Sequence, residues 1–209
     1  TGGEEFAALV CLEGSYFPNL APGLTPDSPV DHVSIRENWE FNEAPNTLDS
    51  SGEACATASD AGACQAAVSD TSELPITFCE QICASRYLVS QQADLVLRWD
   101  TREKVVEFLG TIDAPAEAVL LAWYDGYNVR CDTLTDSAVR AVDDGFEVLA
   151  TRMTADCAPI EVSRFLLHVS PDGTIRQINS EVISTEPDAC VGRRPAGLKP
   201  SRMPHGPGA

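Results

Sequence analysis

The sequence predicts an α+β fold: an antiparallel β-meander packed against one or two helices, with a disulfide-stabilised, loop-rich N-terminal part. The first observation is the stretch 118–124, which is apolar nearly all round and therefore predicts a buried helix. The second is a series of apolar runs after this stretch, separated by turn-forming residues at 144–145 and 171–173. The third is an even number of cysteines, which is typical of a stapled domain.

Local signals place the buried helix between residues 113 and 126. Pro115 suits the first turn, where its missing N–H costs nothing. Asp113 is the better N-cap by residue type, whereas Ala114 as N-cap would place Pro115 at N1 and Glu117 at N3. Both acids lie near the positive end of the helix dipole. Gly126 is expected to end the helix.

The predicted meander contains strands at 127–132, 138–142, 146–153, 162–169 and 174–183. Alternation with a period of two gives each of the last three strands one apolar face. The residues of these faces are Phe146, Val148 and Ala150; Phe165, Leu167 and Val169; and Ile178 and Val182. We expect the buried helix to cover this side of the sheet.

The N-terminal part alternates short predicted elements with loops. Apolar residues predict strands over 6–17 and 33–41. Loops are expected over 18–29, which contains four prolines, and over 43–52. Asp60 can cap a short helix at 61–68.

Further elements are predicted between this part and the buried helix. Residues 78–85 are expected to form one or two helical turns, followed by strands at 87–89 and 95–99. A capping box with Asp100 as the N-cap opens a second helix, which Gly110 ends.

The chain is strongly acidic, with a formal net charge of −18 over 209 residues. Residues 1–192 contain 10 basic and 32 acidic side chains, a net charge of −22. Such a body argues against a nucleic-acid partner, which needs a basic patch. Solubility is the expected role of the charge, and specific cation binding is the lesser alternative. No apolar run predicts a transmembrane segment, and Thr1 indicates a mature or excised chain.

All eight cysteines are expected to form four disulfides in an oxidising compartment, which predicts an extracytoplasmic (secreted, periplasmic or cell-surface) protein. They are Cys11, Cys55, Cys64, Cys79, Cys83, Cys131, Cys157 and Cys190. The expected pairs are Cys55–Cys64, Cys131–Cys157 and, by elimination, Cys79–Cys83 and Cys11–Cys190. The first pair is local, and the second joins the ends of neighbouring meander segments. Zinc binding is the alternative for the two cysteines that lie four apart, but the second ligand pair of a zinc site is missing.

The sequence contains no recognisable catalytic signature, and we expect a protein that is not an enzyme, without catalytic residues, cofactors or metals. His32, His168 and His205 belong to no metal-binding pattern. His168 has the opposite parity to the apolar face of its strand, so it is expected to face outward or pack at an edge. There is no nucleophile elbow or phosphate-binding glycine loop.

Two features resemble binding sites without meeting their requirements. The acidic turn 143–145 lacks the ligand spacing of a calcium loop. Trp39, Trp99 and Trp123 could line a carbohydrate site, but each lies in an apolar periodic run, which favours core packing.

Four segments carry a resemblance to a known group of proteins. They are 51–60 with Cys64, 108–118 with Gly126-Tyr127, 144–151, and 190–198 with its Gly-Arg-Arg-Pro-Ala-Gly run. Together they resemble the N-terminal extracytoplasmic region of myxobacterial proteins that carry a ferritin-like helical domain further along. The resemblance implies a cell-envelope or extracellular location and an accessory role. No position matches the metal ligands of the helical domain, so it implies no metal site here.

The expected organisation has three parts. Residues 1–85 form a cysteine-rich part, and 86–192 form a helix-plus-meander part that shares its core. Residues 193–209, of which seven of 17 are proline or glycine, form a basic tail or linker. The expected function is a non-catalytic module for binding or surface assembly, with a protein partner or self-assembly. The alternatives are an accessory metal-handling domain and an enzyme whose site is built from loops.

Overall fold

A computed structural model describes residues 5–42, 44–79, 83–131 and 134–191. In chain order its elements are β1 (Ala7–Ala8), a 3-10 helix (Ala21–Gly23), β2 (His32–Trp39), β3 (Asn46–Ser51), α1 (Ala61–Ser69), β4 (Phe78–Cys79), β5 (Cys83–Gln92), β6 (Leu95–Trp99), α2 (Arg102–Leu109), α3 (Pro115–Tyr124), β7 (Ala138–Val142), β8 (Gly145–Asp156), β9 (Ile160–Val169) and β10 (Ile175–Glu186). All strand pairings among these residues are antiparallel. The predicted α+β class is therefore confirmed.

The strands form two sheets with a pair of helices between them. The first sheet has the order β1-β7-β8-β9-β10, so its last four strands are the predicted meander. The second has the order β3-β2-β5-β4, and β6 also pairs with β5. Helix α3 contacts β7 and β8, whereas α2 contacts both α3 and β6. The helix pair thus joins the sheets through one main core, to which residues from Leu9 to Val169 contribute.

Helix α3 is the centre of this core, as the sequence predicts. Ala114 is the N-cap and Pro115 the first helical residue, so the second of the two capping alternatives is correct. The fully buried carboxylate of Glu117 accepts hydrogen bonds from the backbone N–H groups of Asp113 and Ala114 and from both the N–H and the hydroxyl of Thr25. One side chain therefore caps the helix and fastens the proline-rich loop to it.

The predicted inner faces of β8 and β9 are correct, but that of β10 is wrong. The three face residues of β8 and the three of β9 are all buried. Ile178 and Val182 of β10 are instead 41% and 53% exposed. The reason is that β10 is the edge strand, and its register against β9 shifts near Ile178 and again near Ile183. Every residue of the strand after Ile175 is exposed.

The turn between β7 and β8 lies one residue earlier than predicted. Val142 pairs with Gly145, so Asp143 and Asp144 are the two turn residues. Gly145 belongs to β8 and has a φ of 136°. A Cβ at this position would collide with the backbone carbonyl of Val169, which explains the requirement for glycine.

Two segments that the sequence assigns to other structures are strands. The described residues of segment 78–85, which is expected to form helical turns, belong to β4 and β5. Phe78 pairs with Ala84, and Cys79 pairs with Cys83. The expected loop 43–52 contains β3, which pairs with β2. The sequence of β3 is polar and does not show the apolar alternation of a strand. Its one buried residue is Asp49, whose carboxylate accepts hydrogen bonds from the N–H groups at the start of the 3-10 helix.

Two expected strands are mostly loops. In segment 6–17 only Ala7–Ala8 is a strand, because Gly14, with a φ of 77°, turns the chain so that Pro18 pairs with Cys11. Of segment 127–132, the described residues form a single bridge between Asn128 and Thr151. This bridge is enough to hold the residues after α3 against β8.

All eight cysteines form disulfides, as predicted, but two of the four predicted pairings are wrong. The pairs are Cys11–Cys131, Cys55–Cys64, Cys79–Cys83 and Cys157–Cys190. Cys157 lies at the far end of the β8–β9 hairpin, and β10 runs back along β9 to bring Cys190 to the same end. Cys131 then joins the N-terminal loop that carries Cys11. The prediction of Cys131–Cys157 was wrong, and the pair Cys11–Cys190 that it left by elimination was therefore wrong too. Local sequence does not show where an edge strand brings the residues that follow it.

The expected domain boundaries relate to the structure in two ways. The division between residues 85 and 86 falls inside β5, and the main core draws on both sides of it. The expected tail, 193–209, lies outside the described residues, as does His205.

Removing single disulfides should separate the effect of loop length from that of packing. Cys11 and Cys131 are 120 residues apart, and Cys55 and Cys64 are nine apart. Chain entropy predicts a loss of about 5 kcal/mol for the paired serine variant of the long bridge and about 2.5 kcal/mol for that of the short bridge. Urea unfolding of the two double variants measures both. A larger loss for the short bridge would contradict the entropic account.

Candidate functional site

A cleft of about 640 Å³ lies at the C-terminal end of α3. Its lining residues come from both sheets and from both core helices. They are Pro75, Ile76, Thr77, Phe78, Asp100, Thr101, Arg102, Tyr124, Asp125, Tyr127, Arg152, Ile175 and Gln177. The cleft therefore forms only when the segment before β5, the start of α2, the end of α3, and strands β8 and β10 have all come together.

Gly126 allows Phe78 to pack closely against the end of α3. The residue directly follows the C-cap of α3 and has a φ of 90°, which suits the end of a helix. A Cβ built on it would lie 2.9 Å from the ring of Phe78. Glycine at this position therefore both ends the helix and lets the aromatic wall of β4 approach its end.

Tyr124 contributes a hydroxyl group without a hydrogen-bond partner among the described residues. The side chain is 5% exposed. Burial raises the pKa of Tyr124, and the nearby carboxylates of Asp100, Glu103 and Asp125 raise it further. The phenol is therefore neutral over the physiological range and can donate one hydrogen bond.

Arg102 and Asp125 form an ion pair at the edge of the cleft. Arg102 Nε lies 2.8 Å from Asp125 Oδ1, and Arg102 Nη2 donates to the carbonyl of Gly173 at 2.7 Å. Burial raises the pKa of Asp125, although the charge and hydrogen bond of Arg102 oppose this. Arg102 thus links the β9–β10 turn to the end of α3, and the Asp125 carboxylate already has a partner.

Arg152 is the second cation of the cleft. Two aromatic rings support it, and its charge also acts to lower the pKa of Asp125. Its Cζ atom lies 4.5 Å from the centre of the Tyr127 ring and 5.2 Å from that of Phe165. Such contacts stabilise a guanidinium without using its N–H donors. The hydrogen bonds and ion pairs found among the described residues include none from this guanidinium.

Asp100 lies at the start of α2 but is not its N-cap, contrary to the sequence prediction. The hydroxyl of Thr101 caps the helix by accepting from the N–H of Lys104 at 3.3 Å. The Asp100 carboxylate instead accepts from Lys104 Nζ at 2.7 Å and Arg98 Nε at 3.2 Å. Burial by itself raises the pKa of Asp100, but these two cations outweigh it and hold the pKa below its ordinary value.

Behind the aromatic wall lies a buried cation from the second sheet. Arg86 Nε lies 3.0 Å from Glu37 Oε1, and both side chains are less than a tenth exposed. The Arg86 guanidinium also donates to the carbonyl of Trp123. Its Cζ atom lies 4.2 Å from the Phe78 ring centre and 4.7 Å from that of Trp123. This contact fixes Phe78 relative to α3.

The candidate residues that the sequence singled out do not converge on the cleft. Trp123 packs edge-on against Phe17 in the core, with ring centres 5.4 Å apart. Trp99 packs on Phe108 at 5.0 Å, and Trp39 stacks on exposed Phe41 at 6.2 Å. None of the three tryptophans is among the residues that line the cleft.

His168 lies on the face that its parity predicts, but its side chain is covered rather than open to solvent. The residue lies on β9 opposite the core face, yet it is 7% exposed. Its Nε2 atom lies 3.6 Å from the carboxylate of Asp144 in the β7–β8 turn. The acidic turn that resembles a calcium loop therefore faces a histidine.

Sequence reasoning missed the residues that build the cleft. The sequence pattern places Tyr124 only in the apolar run of α3, and Arg152 only in a strand. The available signals were weak: an arginine in an otherwise apolar strand pattern and a Tyr-Asp-Gly helix end. These residues come together only through contacts between elements that are far apart in the sequence. The local spacing of residues contains no information about such contacts.

Comparison of the chain with protein-family models, curated proteins and solved structures finds no match. Within the described ranges, no helix is long and apolar enough to cross a membrane. The same residues include no group of three or more His, Cys, Asp or Glu side chains placed to hold a metal ion.

The stability contributed by Asp100 should depend on pH. Because the folded-state pKa is lowered below the unfolded value of about 3.9, its ion pairs stabilise the protein above that pH and stop doing so as the pH falls through the folded pKa. Urea unfolding between neutral pH and pH about 2 should show that Asp100→Asn is less stable than the parent at neutral pH, with the difference vanishing in acid. Asp143→Asn, which changes an exposed turn carboxylate, is the matched control and should show little difference. A difference that persists in acid would contradict the assignment.

Proposed function

We propose that the protein is a non-catalytic extracytoplasmic binding module, secreted or held at the cell surface, and that the cleft at the end of α3 is its ligand site. One observation carries the proposal: the cleft is lined by Tyr124, whose buried hydroxyl has no partner among the described residues, and by Arg152, whose guanidinium rests on two aromatic rings. Buried polar groups without partners are rare in folded proteins and call for a ligand or ordered water. The volume of about 640 Å³ lies in the range of small-molecule sites.

The state of the ionisable groups in the cleft favours binding over catalysis. Arg102 pairs with Asp125, and Lys104 and Arg98 pair with Asp100, so each of these carboxylates already has a cationic partner. A phenol whose pKa is raised by burial is a donor rather than a base. General acid–base catalysis needs a group that exchanges its proton near the working pH. Within this cleft the enzyme alternative would rest on Asp125, whose pKa is raised by burial.

The compartment and the wider role belong to the same proposal. Four disulfides fit an oxidising environment outside the cytoplasm. The resemblance to regions that precede a ferritin-like domain adds an accessory role in such a protein. The alternative of a metal-handling domain would require ligand groups beyond those brought together in the described part of the chain.

Blocking the cleft tests the proposal. Ile76 lines the cleft and is 65% exposed, so Ile76→Arg should fill the cleft with little cost to the fold. Ile178→Arg makes the same change at an exposed isoleucine that does not line the cleft. Screening a mixed fragment library by ligand-observed NMR should reveal binders that Ile76→Arg abolishes and Ile178→Arg retains. Fragments that bind both variants equally, or none that bind the parent, would overturn the proposal.

Surface assembly is the second candidate, and strand β10 is the observation that favours it. The strand is 12 residues long, lies at the edge of its sheet and exposes Ile178, Val182 and Ile183. Antiparallel pairing of two copies about the Ser180–Glu181 bond would bring Ile178 of each copy opposite Ile183 of the other. The register shifts of β10 oppose this, because bulges protect edge strands from pairing.

The same two variants separate assembly from ligand binding. If β10 mediates self-association, sedimentation velocity should show a concentration-dependent dimer that Ile178→Arg weakens and Ile76→Arg leaves unchanged, because an arginine in the apolar pair would be buried without a partner. A parent protein that is monomeric at all concentrations would exclude this second function and leave the first standing.

A further inference from the structure

We propose that the cleft takes a small molecule with a single carboxylate on an apolar, ring-containing body. The inference rests on the proposed function, since it names the ligand class of the same cleft. It begins from the geometry of the charged and apolar groups that line the site.

Arg152 is placed as a receptor for a planar oxyanion. The rings of Tyr127 and Phe165 lie 4.5 and 5.2 Å from its Cζ atom and support the guanidinium from the side. A guanidinium held in this way keeps its N–H donors in a fixed fork, which matches the two oxygens of a carboxylate. Its weak hydration also makes the exchange of water for a ligand less costly.

Tyr124 supplies a second, neutral donor. The residue lines the cleft, and its buried hydroxyl has no described partner, so a hydrogen bond to a ligand oxygen would break no existing bond of this group. The other cation of the cleft differs in this respect, because Arg102 already pairs with Asp125 and with the carbonyl of Gly173. The donors that are available to a ligand are therefore those of Arg152 and Tyr124.

The remaining lining limits the charge of the ligand and sets the nature of its body. Asp100 and Asp125 line the same cleft, and the whole chain has a net charge of −18. A dianion such as a phosphate monoester would meet more repulsion here than a monoanion. Pro75, Ile76 and Phe78 form an apolar wall, and such surface favours a hydrophobic or aromatic body.

A matched set of naphthalene compounds tests the inference in isothermal titration calorimetry. Naphthylacetate has the proposed chemistry, naphthylacetamide has the same shape without the charge, and naphthylmethylphosphonate carries more charge. We expect the carboxylate to bind at least roughly tenfold more tightly than either of the others, as a charge-assisted bidentate contact implies. Added salt should reduce this preference.

Variants assign the preference to the two donors. Arg152→Gln should bring the affinity for naphthylacetate down to that for the amide, while the affinity for the amide itself stays unchanged. Arg176→Gln removes an exposed arginine of β10 that does not line the cleft, and it should leave both affinities within about twofold. Tyr124→Phe should weaken carboxylate binding without lowering the unfolding midpoint, because its hydroxyl bonds to no described group.

The results distinguish an error in the ligand class from an error in the binding site. Equal binding of acid and amide, tighter binding of the phosphonate, or an Arg152→Gln variant that keeps the preference would each overturn the carboxylate class. So would the absence of any binding in this set, even if library fragments still bind the parent and are lost from Ile76→Arg. In those cases the cleft remains a binding site, which distinguishes failure of the ligand class from failure of the proposed function.

Discussion

The position of Arg86 in the core is the constraint on which the rest of the architecture depends. A buried guanidinium is costly unless its charge and its donors are satisfied, and three separate segments satisfy this one. Glu37 of β2 supplies the opposite charge, the carbonyl of Trp123 accepts from it, and the ring of Phe78 covers it. The second sheet is thereby fixed to the end of α3. Because Phe78 is held in the same contact, the wall of the cleft follows from the way the core is assembled.

The two ends of α3 are held by buried charges of opposite sign. Glu117, with four donors around one carboxylate, lies in the first turn, and Arg86 donates to the carbonyl of Trp123 in the last turn. Each charge matches the partial charge of the helix end that it contacts. The helix is therefore oriented as well as buried. Tyr124 follows the last anchored turn, so the donor that it presents to the cleft has a fixed position.

The sequence predicts an element correctly where the interactions that determine the element are local. Pro115, Glu117 and Gly126 set the limits of α3 within a few residues of one another, and the turn at 171–173 did the same for β9 and β10. It was insufficient where the decisive partner is distant. Asp49 lies in a strand without apolar alternation, and its buried carboxylate accepts a hydrogen bond from the 3-10 helix about 28 residues earlier in the chain. The cleft is the extreme case, because its two available donors lie on different elements and neither has a local partner that could mark it.

The disulfide connectivity has a mechanical consequence. If the chain is pulled from its two ends, tension that enters at Cys11 passes directly to Cys131, and tension at Cys190 passes directly to Cys157. The two loops closed by these bonds, including α3, β9 and β10, are bypassed. Between the two bonds, only the segment 131–157 with β7 and β8 is stretched. Of the residues that line the cleft, Arg152 alone belongs to that segment. Force on a tethered molecule would therefore move one side of the cleft while the covalent bypasses shield the other.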